Sequence, residues 1–496
     1  MTGANPPIPD DPLELDAETM RRLGYAVVDL LVERIAGLDR EPAWRGIRRA
    51  ELEPRLREPA PEAPRDFRHV LHRLAADVLG YAARVDHPRF FAYVPGSPTW
   101  PGILGDFLAA GYNVFQGTWL ASAGPSEVEL VVLDWFREWL GYPADAAGVL
   151  VSGGSAANLT ALACARETVL GEDTGRAVLY FPTEAHSSVL RAARVLGFRR
   201  DQLRVLPVDG AFRLDPATLA DAVDEDVRAG RRPFLLVANA GTTSSGAVDP
   251  LPELADLCAE RGLWFHVDGA YGGFAILTER GRRLLRGIER ADSVTLDPHK
   301  WLYQPFEAGC VLVRRGARLH EAFHILPDYL QDAAVAGAEV NFADRGVQLT
   351  RSARALKIWV SIQTLGLAAF RRAIDNALDL ALHAERVIEA TPALELLTPA
   401  TLGIVCFRRR PAGIDDEAEL ERINAALVPQ LLESGVGMIS STRLHGRYAL
   451  RVCPMNHRSR PQDVERVLQW LATAAVDGVA GAARDGLGRS TSPAST

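Results

Sequence analysis

The sequence has no surplus of positive charge, no long apolar run and no paired cysteines, and each absence closes off a class of protein. Lys and Arg total 55 against 63 Asp and Glu, a formal net charge of −8, whereas a nucleic-acid-binding domain shows a basic excess. No stretch approaches the roughly 20 consecutive apolar residues that a helix needs to cross a bilayer. The five cysteines, Cys164, Cys258, Cys310, Cys406 and Cys453, are odd in number and scattered, with no CxxC pair. A disulfide framework or a zinc site is therefore not expected, and a reducing compartment fits. The opening MTGANPPIPDDPLELD is acidic and Pro-rich and lacks the basic and apolar regions of a secretory signal. The expected location is the cytoplasm, with neither nucleic acid nor membrane as a partner. No internal repeat is visible, and neither the P-loop nor the dinucleotide fingerprint is complete.

What is present is apolar patterning. The 496 residues, 48% of them hydrophobic, suffice for one large core and one or two smaller ones. Over residues 18–38, Met20, Leu23, Val27, Val28, Leu31 and Ile35 recur at helical spacing, which predicts a helix with a wide apolar face. Residues 40–66 hold prolines and many charges and read as an irregular connection; a second helix is expected over 67–79. From 96 to 369, short apolar runs alternate with helical stretches. The runs 148–151, 177–181, 234–238, 263–267 and 310–313 read as strands buried on both faces, so the region is expected to form a largely parallel α/β sheet. An amphipathic helix is expected over 371–393 and a small α/β domain over 394–475. The tail, 485–496, is rich in Gly, Ser, Thr and Pro and is expected to be disordered. The division that follows is 1–95, 96–370, 371–475 and 476–496.

Five short motifs carry the chemistry, each with an ordinary explanation when taken alone. Lys300 follows a strand in Ser293-Val294-Thr295-Leu296-Asp297-Pro298-His299-Lys300-Trp301; most lysines are solvated, but a fixed, partly buried one can act as a nucleophilic amine. The turn Val151-Ser152-Gly153-Gly154-Ser155 before a helical stretch is either a capped turn or an anion cradle at a helix N-terminus. Asp268, in His266-Val267-Asp268-Gly269-Ala270, either caps a turn or meets a ligand at the end of a parallel strand. His186, in Glu184-Ala185-His186-Ser187-Ser188, either opens a helix or stacks on a ring. Thr243 lies in Asn239-Ala240-Gly241-Thr242-Thr243-Ser244, a polar strand end. All five occur in order, each after an expected strand. That joint pattern resembles the pyridoxal-5′-phosphate (PLP) enzymes of fold type I, the aspartate-aminotransferase-like fold with a mostly parallel large-domain sheet, a small C-terminal α/β domain and, here, an N-terminal helical segment.

Within that class, Asp297-Pro298-His299-Lys300-Trp301 resembles the N-P-H-K-W signature of the group II PLP-dependent amino-acid decarboxylases, with Asp297 where Asn is usual. His87-Pro88-Arg89-Phe90-Phe91-Ala92-Tyr93 is similar to the same family's H-P-x-F-F-A-Y segment. The resemblance runs over residues 16–475. It implies that Lys300 is the Schiff-base lysine, that His186 stacks on the cofactor ring and that Asp268 pairs with the pyridine nitrogen. It further implies that Ala270 packs on the ring, that Gly154 and Ser155 bind the phosphate, and that Thr243 and His299 lie beside cofactor or substrate. The same resemblance implies decarboxylation of an L-amino acid, a substrate pocket including Tyr93, Pro95, Phe115, Gly117 and Trp119, and a homodimer whose N-terminal segment, 1–95, embraces its partner. The aromatics in that pocket, with Trp100, favour an aromatic substrate over an acidic one.

Two departures from the family pattern bear on the product. Counting back from Ala355-Leu356-Lys357-Ile358-Trp359 places Phe342 where many decarboxylases carry a loop tyrosine that returns a proton to the substrate carbon. A phenylalanine has no such proton. Either another group or water supplies it, or the enzyme is an aldehyde synthase that uses O₂ and releases aldehyde, ammonia and peroxide. Gly117 and Gly96 stand where animal aromatic decarboxylases carry Phe and Thr, which implies an enlarged or reshaped pocket.

Overall fold

Seven strands gather into one sheet in the computed structural model, which describes residues 13–325 and 339–476. The tail over 485–496 lies outside the described residues. The strands are β1 (Ala147–Val151), β2 (Ala177–Pro182), β3 (Leu203–Leu206), β4 (Arg232–Asn239), β5 (Trp264–Gly269), β6 (Ser293–Leu296) and β7 (Gly309–Val313). Their order across the sheet is β1-β7-β6-β5-β4-β2-β3. Pairings among β2 to β6 are parallel. Only β7 is reversed, antiparallel to both β6 and β1, so β1 runs with the other five. Six strands therefore end along one edge, where α/β sheets bind ligands.

The sheet forms because its apolar runs are covered on both faces. Every residue of β2, β5, β6 and β7 is buried. Val132, Leu133, Phe136 and Leu140 of the helix Trp119–Leu140 and Ala157, Ala161 and Leu162 of the helix Gly154–Leu170 join the same core. Each fully buried Val, Leu or Phe adds about 1.5–3 kcal/mol of transfer free energy.

A second sheet is wholly antiparallel, in the order β10-β11-β9-β8, from β8 (Leu394–Thr401), β9 (Ile404–Arg409), β10 (Ser440–Leu444) and β11 (Arg447–Val452). Helices Glu417–Ser434 and Pro461–Thr473 pack on it through Ile423, Leu427, Val467 and Leu471. The expected boundary at 370/371 falls inside one continuous helix, Leu367–Glu389. Its first half, with Phe370 and Ile374, belongs to the large core; its second half, with Ala384 and Ile388, belongs to the small one.

Contacts divide the chain into residues 1–84 and 85–496. In the first unit, helix Ala17–Ala36 begins at Asp16, whose carboxylate accepts from Thr19 N at 2.9 Å. None of that helix's residues is buried. The stretch 40–66, expected to be irregular, contains a short helix, Arg49–Leu56, with Pro54 inside it. Salt bridges from Arg49 and Arg57 to Glu53 support it where the apolar pattern gave no sign. The helix expected over 67–79 is α-helical only over Phe67–Arg73 and then loosens into wider and tighter turns.

Candidate active site

Strand β6 ends at Leu296, and Asp297 and Pro298 turn the chain into a four-residue helix, Pro298–Trp301. Trp301, fully buried, anchors that turn, with its ring 5.7 Å from that of Tyr271. Lys300 is thereby held with its Nζ 2.9 Å from Oδ2 of Asp297. Asp297 is buried, and its other carboxylate oxygen has no partner among the described residues. His299 Nδ1 accepts from Ala308 N at 3.3 Å. Burial pushes the His299 pKa below its usual value, opposed by the Asp297 carboxylate.

Across from Lys300, β5 delivers Asp268. Register places Asn239, Asp268 and Thr295 side by side on β4, β5 and β6. Asp268 Oδ2 accepts from Asn158 Nδ2 at 2.8 Å, and Oδ1 accepts from Ala270 N at 3.1 Å. Asn158 is the hub of this arrangement. Its Nδ2 also donates to Ser188 Oγ at 2.9 Å, and its Oδ1 accepts from Thr295 Oγ1 at 2.8 Å and meets His266 Nε2 at 3.1 Å. Four hydrogen bonds exhaust the amide's capacity.

The hub orders the protons around it. Trp264 Nε1, which can only donate, donates to Ser293 Oγ at 2.9 Å, which leaves the serine proton for His266 Nδ1 at 2.8 Å. His266 is then a neutral ring with its proton on Nε2, facing Asn158 Oδ1. Burial agrees, holding the His266 pKa at about 4 against the pull of Asp268. On the other branch, Ser188 takes the amide proton and has its own for His186 Nδ1, 2.8 Å away. Asp268 and His186 are thus joined through one buried amide.

The turn Ser152-Gly153-Gly154-Ser155 leads from β1 into helix Gly154–Leu170, whose first turn has no side-chain cap. Its leading N–H groups are free for an anion. A Cβ on Gly154 would come within 2.8 Å of Ala270 Cβ and 3.0 Å of Asp297 Oδ2, so glycine keeps this cradle open. Gly154, Ser155, His186, Thr243, Asp268, Ala270, His299 and Lys300 all line one cavity of about 330 Å³. Asn158, Ser188, Asn239 and Tyr271, which the sequence reading did not single out, line it too. A larger cavity of about 510 Å³, bordered by residues 210–213, 247–253 and 397–399, contains none of these groups; the chemistry resides in the smaller one. The donor set fits pyridoxal phosphate: an amine, a carboxylate held by N–H donors, the small side chain of Ala270 in the cavity wall, and an uncapped helix start.

Tyr93, Pro95, Phe115, Gly117 and Trp119 do not line this cavity. Tyr93 adopts a left-handed backbone (φ 54°) with its side chain 61% exposed, and Arg451 Nη1 donates to its carbonyl at 3.0 Å. Trp100 borders a separate cavity with Tyr303 and Phe370. Gly96 and Gly117 do not enlarge a pocket. A Cβ on Gly96 would lie 2.1 Å from the Lys300 carbonyl oxygen, and one on Gly117 would strike the Phe115 ring at 2.4 Å; both glycines permit close packing. Phe342 is fully buried in the large core, with the Arg351 guanidinium 5.0 Å from its ring centre. Arg351 is itself buried against Glu129, at 2.6 Å. In this chain Phe342 therefore packs as a core side chain.

Residues 50–410 match the pyridoxal-dependent decarboxylase conserved domain. The chain is 42% identical over 464 residues to an aromatic-L-amino-acid decarboxylase of Bacillus atrophaeus, covering 93% of this chain and 97% of that protein. It is 31% identical to a phenylacetaldehyde synthase of Arabidopsis thaliana, covering 92% of this chain and 97% of that protein. The crystal structure of Oryza sativa TDC with PLP and tryptamine superposes with a TM-score of 0.88 at 29% identity, covering 93% of this chain and 98% of that one. The chain belongs to the pyridoxal-dependent decarboxylase family. It is a PLP-dependent carboxy-lyase of fold type I.

The neutral His266 makes stability depend on pH. Its folded pKa of about 4 lies below the ordinary 6.5, so between these values the unfolded chain binds a proton that the folded chain does not. The stabilisation is complete above pH 6.5 and is lost on acidification towards pH 4, by roughly 3 kcal/mol. His457, also held at about 4 by burial, acts in the same sense. Asp249, pushed up to about 6 by burial, acts in the opposite sense. The urea midpoint is expected to fall from pH 6.5 to pH 4.5, and less steeply in His266→Asn. An equal slope in the variant would show that His266 is not the neutral link.

Proposed function

We propose that the enzyme decarboxylates an aromatic L-amino acid to the arylalkylamine and CO₂. The observation that carries this reading is the convergence of Lys300, Asp268 and the Gly153-Gly154 turn in one cavity, in a chain 42% identical to an aromatic-L-amino-acid decarboxylase over nearly the whole length of both. Pyridoxal phosphate, when bound, accepts the electron pair left at Cα as CO₂ departs. The chain's own residues do the rest. Lys300 Nζ, in the cavity wall, would hold the cofactor there. The Asp268 carboxylate, held in direction by its two N–H donors, would face the pyridine nitrogen and favour its protonated form. The free N–H groups of Gly154 and Ser155 take the phosphate, with Thr243 and His299 beside it. His186, fixed through Ser188, orients the substrate carboxylate at the open side. Binding and orientation by these groups lower the barrier, and a proton delivered to Cα by water or another group, since a phenylalanine at 342 has none to give, completes the amine.

An aldehyde synthase remains the second reading because a phenylacetaldehyde synthase is among the relatives. Phe342 itself packs as a core side chain. The purified holoenzyme, supplied with each of the twenty L-amino acids and with L-DOPA, is expected to release CO₂ and amine in equal amounts from one or more of Tyr, DOPA, Trp and Phe, without peroxide. Lys300→Ala is expected to abolish turnover and Asp268→Ala to lower it severely. Peroxide and ammonia matching CO₂ would favour the synthase, and turnover of acidic amino acids alone would overturn the aromatic assignment.

We also propose that two copies pair in a reducing cytoplasm. All five cysteines are free and buried, and no helix among the described residues is long and apolar enough to cross a membrane. Tyr93, Phe107, Leu108, Tyr112 and Leu120 are between 52% and 81% exposed. They occupy the same stretch of chain as Phe115 and Trp119, and a second copy covering them would enclose those aromatics as substrate-pocket walls. Light scattering is expected to give twice the 53.9 kDa chain mass, and Tyr112→Asp with Leu120→Asp to shift the population towards single chains. A monomeric wild-type enzyme would contradict the pairing.

A further inference from the structure

Cysteine usage gave no reason to expect a metal, but three other side chains converge away from the active site. His320 and His324 lie one helical turn apart at the end of helix Ala317–Phe323, a spacing that puts both on one face. Their rings stack at 4.4 Å between centres and 19° between planes. A third group comes from a separate element, the 3₁₀ turn Phe342–Arg345: Asp344 Oδ1 lies 3.3 Å from His324 Nδ1. One ligand atom from each of the three lies within 4.8 Å of the other two. Among the described residues no other group of three His, Cys, Asp or Glu side chains does this.

We propose that His320, His324 and Asp344 form a binding site for one divalent transition-metal ion of the zinc type. Bonds of about 2.0–2.2 Å to a tetrahedral ion put neighbouring donors about 3.3–3.6 Å apart. The His324–Asp344 separation of 3.3 Å already meets that spacing. The third donor needs only a small side-chain rotation, and His320 and His324 are exposed and free to make it. Two imidazoles and a carboxylate suit zinc, cobalt or nickel, whereas calcium and magnesium prefer all-oxygen shells. Three protein ligands leave a fourth position for water.

The ion would join two elements that already bear on the rest of the fold. Asp344 N donates to the Asn341 carbonyl at 3.1 Å, and Ala343 N to the Gly117 carbonyl at 3.0 Å. Asn341 Oδ1 accepts from Trp119 N at 2.9 Å. A metal on Asp344 would therefore tie the end of the helix to the turn that fixes residues 117–119. Because it binds the folded chain, it raises the thermal midpoint.

The test uses untagged holoenzyme treated with chelator and dialysed into a non-coordinating buffer. Calorimetric titration with Zn²⁺ is expected to show one ion per chain and a rise in thermal midpoint. His320→Ala and His324→Ala are each expected to weaken binding by an order of magnitude or more and to remove the rise. His320→Gln is expected to do the same while keeping a polar side chain there. His383→Ala, whose ring pairs with Glu465 at 2.8 Å on other helices, is expected to bind like wild type. Co²⁺ is expected to give a tetrahedral visible spectrum that the same variants lose. Wild type that takes up no stoichiometric Zn²⁺, or equal uptake by all the variants, which would mean an adventitious ion only, overturns the proposal.

Discussion

One buried amide holds the site together. Asn158 spends both N–H groups on Asp268 and Ser188 and both lone pairs on His266 and Thr295. A carboxylate as buried as Asp268 would be costly if its oxygens were unsatisfied. Here N–H donors satisfy it and fix its direction, so it stays available to a ligand in the cavity. The amide cannot flip without breaking four contacts, and the neutral His266 behind it, locked by Ser293 and Trp264, rules out the flipped arrangement. The network is fully connected, which is the condition under which buried polar groups rigidify a core instead of weakening it.

The sheet makes this network possible. Asn158 comes from the helix after β1, His266 and Asp268 from β5, Ser293 and Thr295 from β6, and Ser188 from the helix after β2. These elements are far apart in sequence and meet because six strands run one way and end at one edge. The faces of the sheet are mostly apolar, and the buried polar residues His266, Ser293 and Thr295 on its strands all join this one network. Lys300 enters from the same edge, on a turn pinned by the buried Trp301. Asp297, where a carboxylate replaces the family's usual amide, sits between that lysine and the glycine cradle.

Much of this was legible in the sequence, for identifiable reasons. The run 234–238 is apolar at every position and 263–267 at all but His266, because both faces of the sheet are covered, and they read as strands at once. β3 did not, because it is an edge strand with Val205 exposed and Arg204 turned to Asp226. The helix Arg49–Leu56 was hidden by Pro54 and by its lack of an apolar face. The motif residues at strand ends all reached the cavity, since a strand's end fixes where its next side chain goes. Asn158 was passed over, although a lone asparagine one turn into an Ala- and Leu-rich helix, just after the glycine turn, is a signal that could have been used. For Phe342, Gly96 and Gly117 the sequence gives position and says nothing of enclosure. Only the packing of Arg351 over Phe342, and of the Lys300 carbonyl against Gly96, decides what those residues do.

We propose that the amine of Lys300, and no other, holds the cofactor opposite Asp268. Borohydride reduction of the holoenzyme, followed by digestion and peptide mass spectrometry, tests it directly. A single pyridoxyl-phosphate adduct is expected on the peptide containing Asp297 to Trp301, located on Lys300. An adduct on Lys357, or no covalent adduct at all, would contradict it.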